Sequence, residues 1–148
     1  FYKGDRSMRE SGFDPSNRFG PFSIDIIHHA PVGLNALLYQ MQTEAAEIYS
    51  ILGQSDEAAT WRNRAAARKE RVDQYLWNED SGLYHDYDVR EEAVNPYVFA
   101  TTFYPLWVGL ACEAQARREA RRVFKTRLER LVGFPASAPP FVVHVDRD

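Results

Sequence analysis

Within Arg9-Glu10-Ser11-Gly12-Phe13-Asp14-Pro15-Ser16-Asn17-Arg18-Phe19-Gly20, two carboxylates stand four residues apart, flanked by two arginines among glycines and aromatic rings. An acid beside aromatic rings loses solvation, which raises its pKa and suits it to donate a proton. Gly12 lets backbone approach a ligand closely. In a turning loop Glu10 and Asp14 need not face the same way, so one is free to meet a ligand while the other orients backbone or an arginine. The same residues also read structurally, as an Asx-turn in which Asp14 or Asn17 bonds nearby amides and Arg18 pairs with Glu10. Residue types alone leave both readings open.

Other clusters carry less chemistry. His28-His29 lacks the i, i+4 spacing that sets two imidazoles on one metal from a helix, and only Asp25 lies near. One histidine in the core and one bonded to a backbone carbonyl is the better reading. Tyr84-His85-Asp86-Tyr87-Asp88 lines a pocket or covers a core as a half-buried strand, with His85 and Asp86 on opposite faces. Asn78 and Asp80 lack the glycine and third oxygen ligand of a calcium loop. Arg117, Arg118, Arg121, Arg122, Lys125, Arg127 and Arg130 make a basic helix, read as a solvated face. Cys112 is the sole cysteine, which excludes an intrachain disulfide, and no histidine accompanies it as a nucleophile's base.

These side chains must be positioned by helices. The chain has 148 residues, 45% hydrophobic and 26% charged, and carries a net charge of -3. That composition excludes a disordered or collagen-like chain. The acidic balance argues against a nucleic-acid partner, and no apolar run is long enough to span a membrane. Aromatics reach 14%, which suits a large core or the stacking walls of a sugar site. Residues 1–33, punctuated by Gly4, Gly12, Pro15, Gly20, Pro21, Pro31 and Gly33, read as an ordered loop with a short strand at Ser23–Ile27. So long a loop in a compact domain points to function.

From Leu34 to Leu52 the apolar positions Leu37, Leu38, Met41, Ala45, Ile48 and Leu52 predict a helix, closed by Gly53. Ser55 caps a second helix to Leu76, with Ala58, Trp61, Ala65, Val72, Tyr75 and Leu76 as its stripe. So short a link makes the pair antiparallel, with Leu38, Met41, Trp61 and Ala65 at the interface. Asn78–Gly82 is a turn and Leu83–Asp88 an extended arm. Phe99–Ala111 supplies a helix with Pro105 in its first turn. Glu113–Leu131 is a fourth helix, its stripe Ala116, Ala120, Val123, Phe124, Leu128 and Leu131, ended by Gly133 and Pro135. Phe141–Val145 closes the chain as an apolar run. Helix pairs joined in this way stack as a solenoid or close as a ring, and no strict repeat marks a solenoid.

With these residues in hand, the chain resembles the trehalase family of glycoside hydrolases. Glu10–Phe19 is similar to that family's Glu-Ser-Gly-Trp-Asp-x-Ser-x-Arg-Trp motif, and Pro31-Val32-Gly33-Leu34-Asn35-Ala36 to its Pro-Val-Asp-Leu-Asn segment. Ala66–Tyr87, Phe103-Tyr104-Pro105-Leu106-Trp107 and Gly133-Phe134-Pro135-Ala136-Ser137 resemble later family blocks in the same order. Phe13 and Phe19 stand where Trp is usual, Pro15 replaces a commonly aromatic position, and Gly33 replaces Asp.

The resemblance implies a mainly α chain whose helical hairpins form part of an (α/α)6 toroid. It implies inverting cleavage of α,α-trehalose to two glucose molecules, with no cofactor and no metal. Asp14 then maps onto the general acid. Gly12, Phe13 and Arg18 map onto the substrate-binding set, Arg18 more as support than as contact, and Glu10 is supporting. The family's general base lies beyond a Gln-Trp-Asp and Gly-Trp-Ala-Pro region that has no counterpart here. The chain is therefore expected to be a single partial domain over 1–148. Its parts are an active-site loop region at 1–33, a helical hairpin at 34–76, a turn and loop at 77–102, a helical pair at 103–131 and an atypical tail at 132–148. Alone it is expected to be inactive. A related α-glucosidase and a non-catalytic sugar-binding domain are the alternatives. The expected partner is a small disaccharide, with no membrane, nucleic acid or obligate protein partner. The compartment, periplasmic, secreted or cytoplasmic, is undecided by these residues.

Overall fold

The computed structural model describes residues 1–12 and 17–132, with side-chain detail through Val123. The predicted tail beyond 132, the Gly133–Ser137 block included, lies outside the described residues. In chain order, α1 (Tyr2–Glu10) leads through a 3-10 segment (Pro21–His28) into β1 (His29–Ala30) and α2 (Val32–Ile51). Then come α3 (Ser55–Tyr75), β2 (Trp77–Asn78), β3 (Leu83–Tyr84), β4 (Tyr87–Asp88) and β5 (Ala93–Val94). A 3-10 turn (Ala100–Phe103), a one-turn α4 (Tyr104–Trp107) and α5 (Glu113–Val132) complete the order.

Residues 1–33 are more regular than the expected loop, and Ser23–Ile27 is 3-10 helix rather than strand. On α1 the pairs Arg9–Asp5 and Arg6–Glu10 follow i, i+4 spacing on the exposed face. Its buried face holds only Gly4 and Met8, too thin a stripe for periodicity to register. Gly4 is buried because α1 lies against the 3-10 segment: a Cβ there would sit 2.1 Å from the Ile24 carbonyl oxygen. Met8, Phe19 and Ile26 close a small core beneath.

The α2–α3 hairpin follows the expected pattern. Gly53 turns the chain at φ +73, and the cross-helix bonds run in opposite senses. Arg68 Nη1 donates to Asn35 Oδ1 at 2.8 Å and Arg68 Nε to Gln42 Oε1 at 3.0 Å, while Arg62 meets Ser50 at the far end. The helices are therefore antiparallel. Ser55 is already inside α3 rather than its cap. The packing face of α2 differs from the expected stripe. Val32, Gly33, Ala36, Gln42 and Ala46 are buried, and on α3 Ala58, Ala65 and Val72. Small residues let the backbones close up, so Met41 stays 52% exposed instead of entering the interface. Leu38 and Trp61 are half-buried at its edge. Leu34, Leu37, Ile48, Ile51 and Leu52 are also exposed.

The expected turn at Asn78–Gly82 joins β2 to β3, with Asn78 Oδ1 accepting the Ser81 N–H at 2.8 Å and Gly82 at φ +66. The extended arm breaks at His85-Asp86, so β3 pairs with β2 while β4 joins a separate antiparallel sheet in the order β1-β4-β5. His29 faces Asp88, and Tyr87 faces Val94. Phe99–Ala111 is not one helix: it divides into a 3-10 turn and α4, Pro105 sits in the first turn of α4 as expected, and Trp107 stays 66% exposed. Val32, Val72, Leu76, Tyr84 and Leu110 form the main core, which gathers α2, α3, β3 and the segment after α4.

On α5, among the residues up to Val123, the fully buried one is an acid. Ala120 is exposed and Ala116 half-buried, whereas Glu119 is 0% exposed. Its Oε1 faces the Thr102 hydroxyl at 3.3 Å, and its Oε2 has no hydrogen-bond partner among the described residues. Burial pushes its pKa up to about 7, against a smaller opposing pull from the Thr102 hydroxyl. The unfolded chain ionises this group near 4.5, so folding loses stability as pH rises from there to about 7, then levels off. The full loss corresponds to ~3 kcal/mol. Glu119→Gln removes the titration. Denaturant melts from pH 4.5 to 8.5 are expected to show the variant gaining on the parent as pH rises, and a flat difference would count against this assignment.

Candidate active site

The loop that follows α1 begins at Ser11 and Gly12, and Gly12 takes a left-handed φ of +74 with no described residue within 4 Å of where its Cβ would stand. Phe13 and Asp14 lie outside the described residues, and Arg18 and Phe19 re-enter as buried side chains. Glu10 ends α1 on the surface, bonded to Arg6 at 2.8 Å. The expected Glu10–Arg18 pair does not form.

Arg18 instead reaches across the fold to Asp86. Its Nε donates to Asp86 Oδ2 and its Nη2 to Oδ1, both at 2.6 Å, with the two side chains 1% and 2% exposed. Such a bidentate fork is the geometry that makes a buried ion pair tolerable. The guanidinium also lies over the rings of Phe19 and Phe99, 4.9 and 5.1 Å from their centroids. Asp86 Oδ1 accepts in addition the Val32 N–H at 2.8 Å. A carboxylate at the positive end of α2 satisfies one of that helix's free donors, which explains why α2 starts two residues earlier than its apolar pattern.

A second set of bonds holds the same loop. Asn95 Nδ2 donates to the Arg18 carbonyl at 3.0 Å, while Asn95 Oδ1 accepts the Tyr97 N–H at 2.9 Å. These two partners fix which way the amide points. His85 is buried, with Nδ1 3.0 Å from the Asn95 carbonyl and Nε2 2.9 Å from the Ser81 hydroxyl. Burial lowers its pKa, so it is neutral, with the proton on Nδ1 facing the carbonyl and Nε2 accepting from Ser81. His29 sets Nδ1 toward the Asp25 carbonyl at 3.0 Å and packs its ring on Phe19 at 4.9 Å. That is the structural role read from the sequence. Among the described residues no group of three His, Cys, Asp or Glu could hold a metal.

Beside this loop opens a cleft of about 440 Å³, lined among others by Glu10, Ser11, Phe19, Ile27, Pro31 and Leu34. Among the described residues its acid is Glu10, and its floor is apolar. Phe19, 2% exposed, belongs to the core beneath rather than to a sugar-facing wall. Gly33 is also explained: a Cβ there would lie 3.1 Å from Thr101 Cγ2, so a larger side chain would push on the 3-10 turn.

Asp86 and Asn95 were not legible as site residues. They lie 68 and 77 positions from Arg18, beyond any local spacing. The usable signal was an arginine among aromatic rings, which needs an acid once buried, and Asp86 stands between Tyr84 and Tyr87.

The family model for trehalase matches residues 1–146. A cytosolic neutral trehalase from Kluyveromyces lactis is 36% identical over 127 residues, covering 80% of this chain and 16% of that protein. A probable trehalase from Eremothecium gossypii is 34% identical, covering 92% and 19%. A cytosolic neutral trehalase from Pyricularia oryzae is 35% identical, covering 78% and 18%. The chain thus spans under a fifth of the length of these relatives. Among solved structures, a neutral trehalase from Saccharomyces cerevisiae superposes with a TM-score of 0.75 at 31% identity, covering 82% of this chain and 24% of that one. The helical hairpins match part of that enzyme's (α/α)6 barrel.

Proposed function

The chain belongs to the trehalase family, and on that premise we propose that it supplies the general-acid segment of an inverting hydrolase that cleaves α,α-trehalose into two glucose molecules. The observation that carries this reading is the seating of the acid motif: its arginine is locked to Asp86 by a buried two-point ion pair. A loop secured so firmly beside an open cleft suits a group that must be held still.

Inversion requires two carboxyl groups on opposite sides of the bond, ~6.5–9.5 Å apart, leaving room for a water. Asp14 protonates the glucosyl oxygen that departs. A carboxylate from elsewhere in the longer polypeptide draws the proton from the water attacking the opposite face. Gly12 and Phe13 contact the sugar. Arg18 supports the loop from below, because its guanidinium already faces Asp86, and Glu10 flanks the entrance. No metal or cofactor enters the scheme.

The stereochemistry provides the test. With inversion, the attacked ring leaves as β-glucose and the departing ring as α-glucose. Early proton spectra of the intact enzyme's reaction are expected to show equal amounts of the two anomers, whereas an initial product of α-glucose alone would remove the inverting mechanism. The 148-residue chain by itself is expected to release no glucose above a heat-killed control, since it lacks the second carboxylate.

A further inference from the structure

We infer that Asp86 and Asn95 form a clamp that positions the general-acid loop through Arg18, an inference that rests on Asp14 being the acid. The two residues occupy the two feet of one hairpin. Asp86 immediately precedes β4 and Asn95 immediately follows β5. The Asn95 N–H donates to the Asp86 carbonyl at 2.7 Å and closes the hairpin's base. From that base Asp86 grips the Arg18 side chain and Asn95 grips its carbonyl oxygen. Side chain and backbone of one residue are thereby held from the same hairpin base. The hairpin is in turn fixed to the other end of the same stretch, since β4 pairs with β1 at His29 and Ala30.

Asp14 stands four residues before Arg18, so the clamp fixes the downstream end of the segment that carries the acid. Upstream, Gly12 has a left-handed backbone with no described residue within 4 Å of where its Cβ would stand, and the Ser11 N–H is tied back to the last turn of α1. A neutral amide bond such as Asn95 to Arg18 contributes only ~1 kcal/mol to stability. A shift of ~1 Å in a catalytic group, by contrast, costs on the order of 100-fold in rate. Asn95 is thus a positioning residue whose loss is felt in catalysis far more than in folding.

The test uses the intact enzyme and two substrates. Trehalose needs protonation of a poor leaving group, whereas α-glucosyl fluoride releases fluoride with little help from an acid. Asn95→Ala is expected to lower kcat on trehalose roughly 10- to 100-fold with KM nearly unchanged. Its activity on the fluoride is expected to change by less than about threefold, because only acid catalysis is impaired. Asp86→Asn, which keeps an acceptor for Arg18 but loses the charge-paired fork, is expected to show the same split. Parallel losses on both substrates, or unchanged trehalose turnover in Asn95→Ala, would overturn the clamp. Asp14→Asn is the control: if it impairs both substrates equally, the general-acid assignment itself fails and the inference falls with it.

Discussion

In the enzyme that carries this chain, Asp14→Asn is expected to lower trehalose turnover by roughly 10³–10⁴-fold, with little change in KM. The amide keeps the shape and hydrogen-bonding capacity of the carboxyl but has no proton to give. General-acid loss costs least when the leaving group is stable as an anion, and a glucose alkoxide is a poor one, which places this case at the upper end. An acid working near neutral pH must also hold its proton well above the free aspartate value of ~3.9. A nearby free guanidinium would oppose that by favouring the carboxylate. The Arg18 guanidinium is paired with the Asp86 carboxylate at 2.6 Å on two atoms. The alkaline limb of the kcat/KM profile on trehalose is therefore expected to disappear in the variant. Near-native turnover, or an unchanged alkaline limb, would remove Asp14 from the mechanism.

The hairpin of α2 and α3 was legible because two local signals agreed: helical periodicity on both sides and a glycine able to take φ +73 between them. The identity of the buried face was not legible. Periodicity shows that Leu34, Leu37, Met41 and Ile48 share a stripe, yet the residues of α2 that are buried include the small Gly33, Ala36 and Ala46 instead. Large apolar side chains announce a face that needs cover, and close helix packing favours small ones, so hydrophobicity alone pointed at the wrong partner. The first thirty residues failed for the opposite reason. Their order comes from a glycine pressed on a carbonyl, i, i+4 ion pairs and a three-residue core, none of which produces an apolar rhythm.

The acid motif was legible as a candidate from its residues and as a family motif by resemblance. Its support was not, because Arg18 has an acid much nearer in sequence at Glu10 and takes a distant one. The choice follows from burial. Glu10 ends an exposed helix, where an ion pair contributes little, and it has Arg6 within its own turn. Asp86 is held in the interior and needs a counter-charge there. Burial of Glu119 in place of Ala116 or Ala120 was hidden for a related reason: a pattern-based reading assigns acids to the water-facing side.

The same pairing sets the largest expected effect on stability. Asp86→Ala leaves the Arg18 guanidinium buried without its carboxylate and deprives the Val32 N–H of its acceptor at the start of α2. Removing one partner of a buried ion pair typically costs ~3–5 kcal/mol, a large share of the ~5–15 kcal/mol that holds a domain folded. Asp86→Asn is expected to lose less, since its amide oxygen still accepts from Val32. The double substitution Arg18→Met with Asp86→Leu replaces both charges by apolar side chains, and it is expected to recover much of the stability lost by Asp86→Ala. It is expected to recover none of the activity, because the acid loop would lose its anchor. Denaturant melts of the three variants, followed by trehalose assays on the intact enzyme, separate these contributions. If Asp86→Ala unfolds at the parent's denaturant midpoint, the pair contributes nothing to the fold. If the double variant cleaves trehalose as the parent does, the fork is dispensable to catalysis.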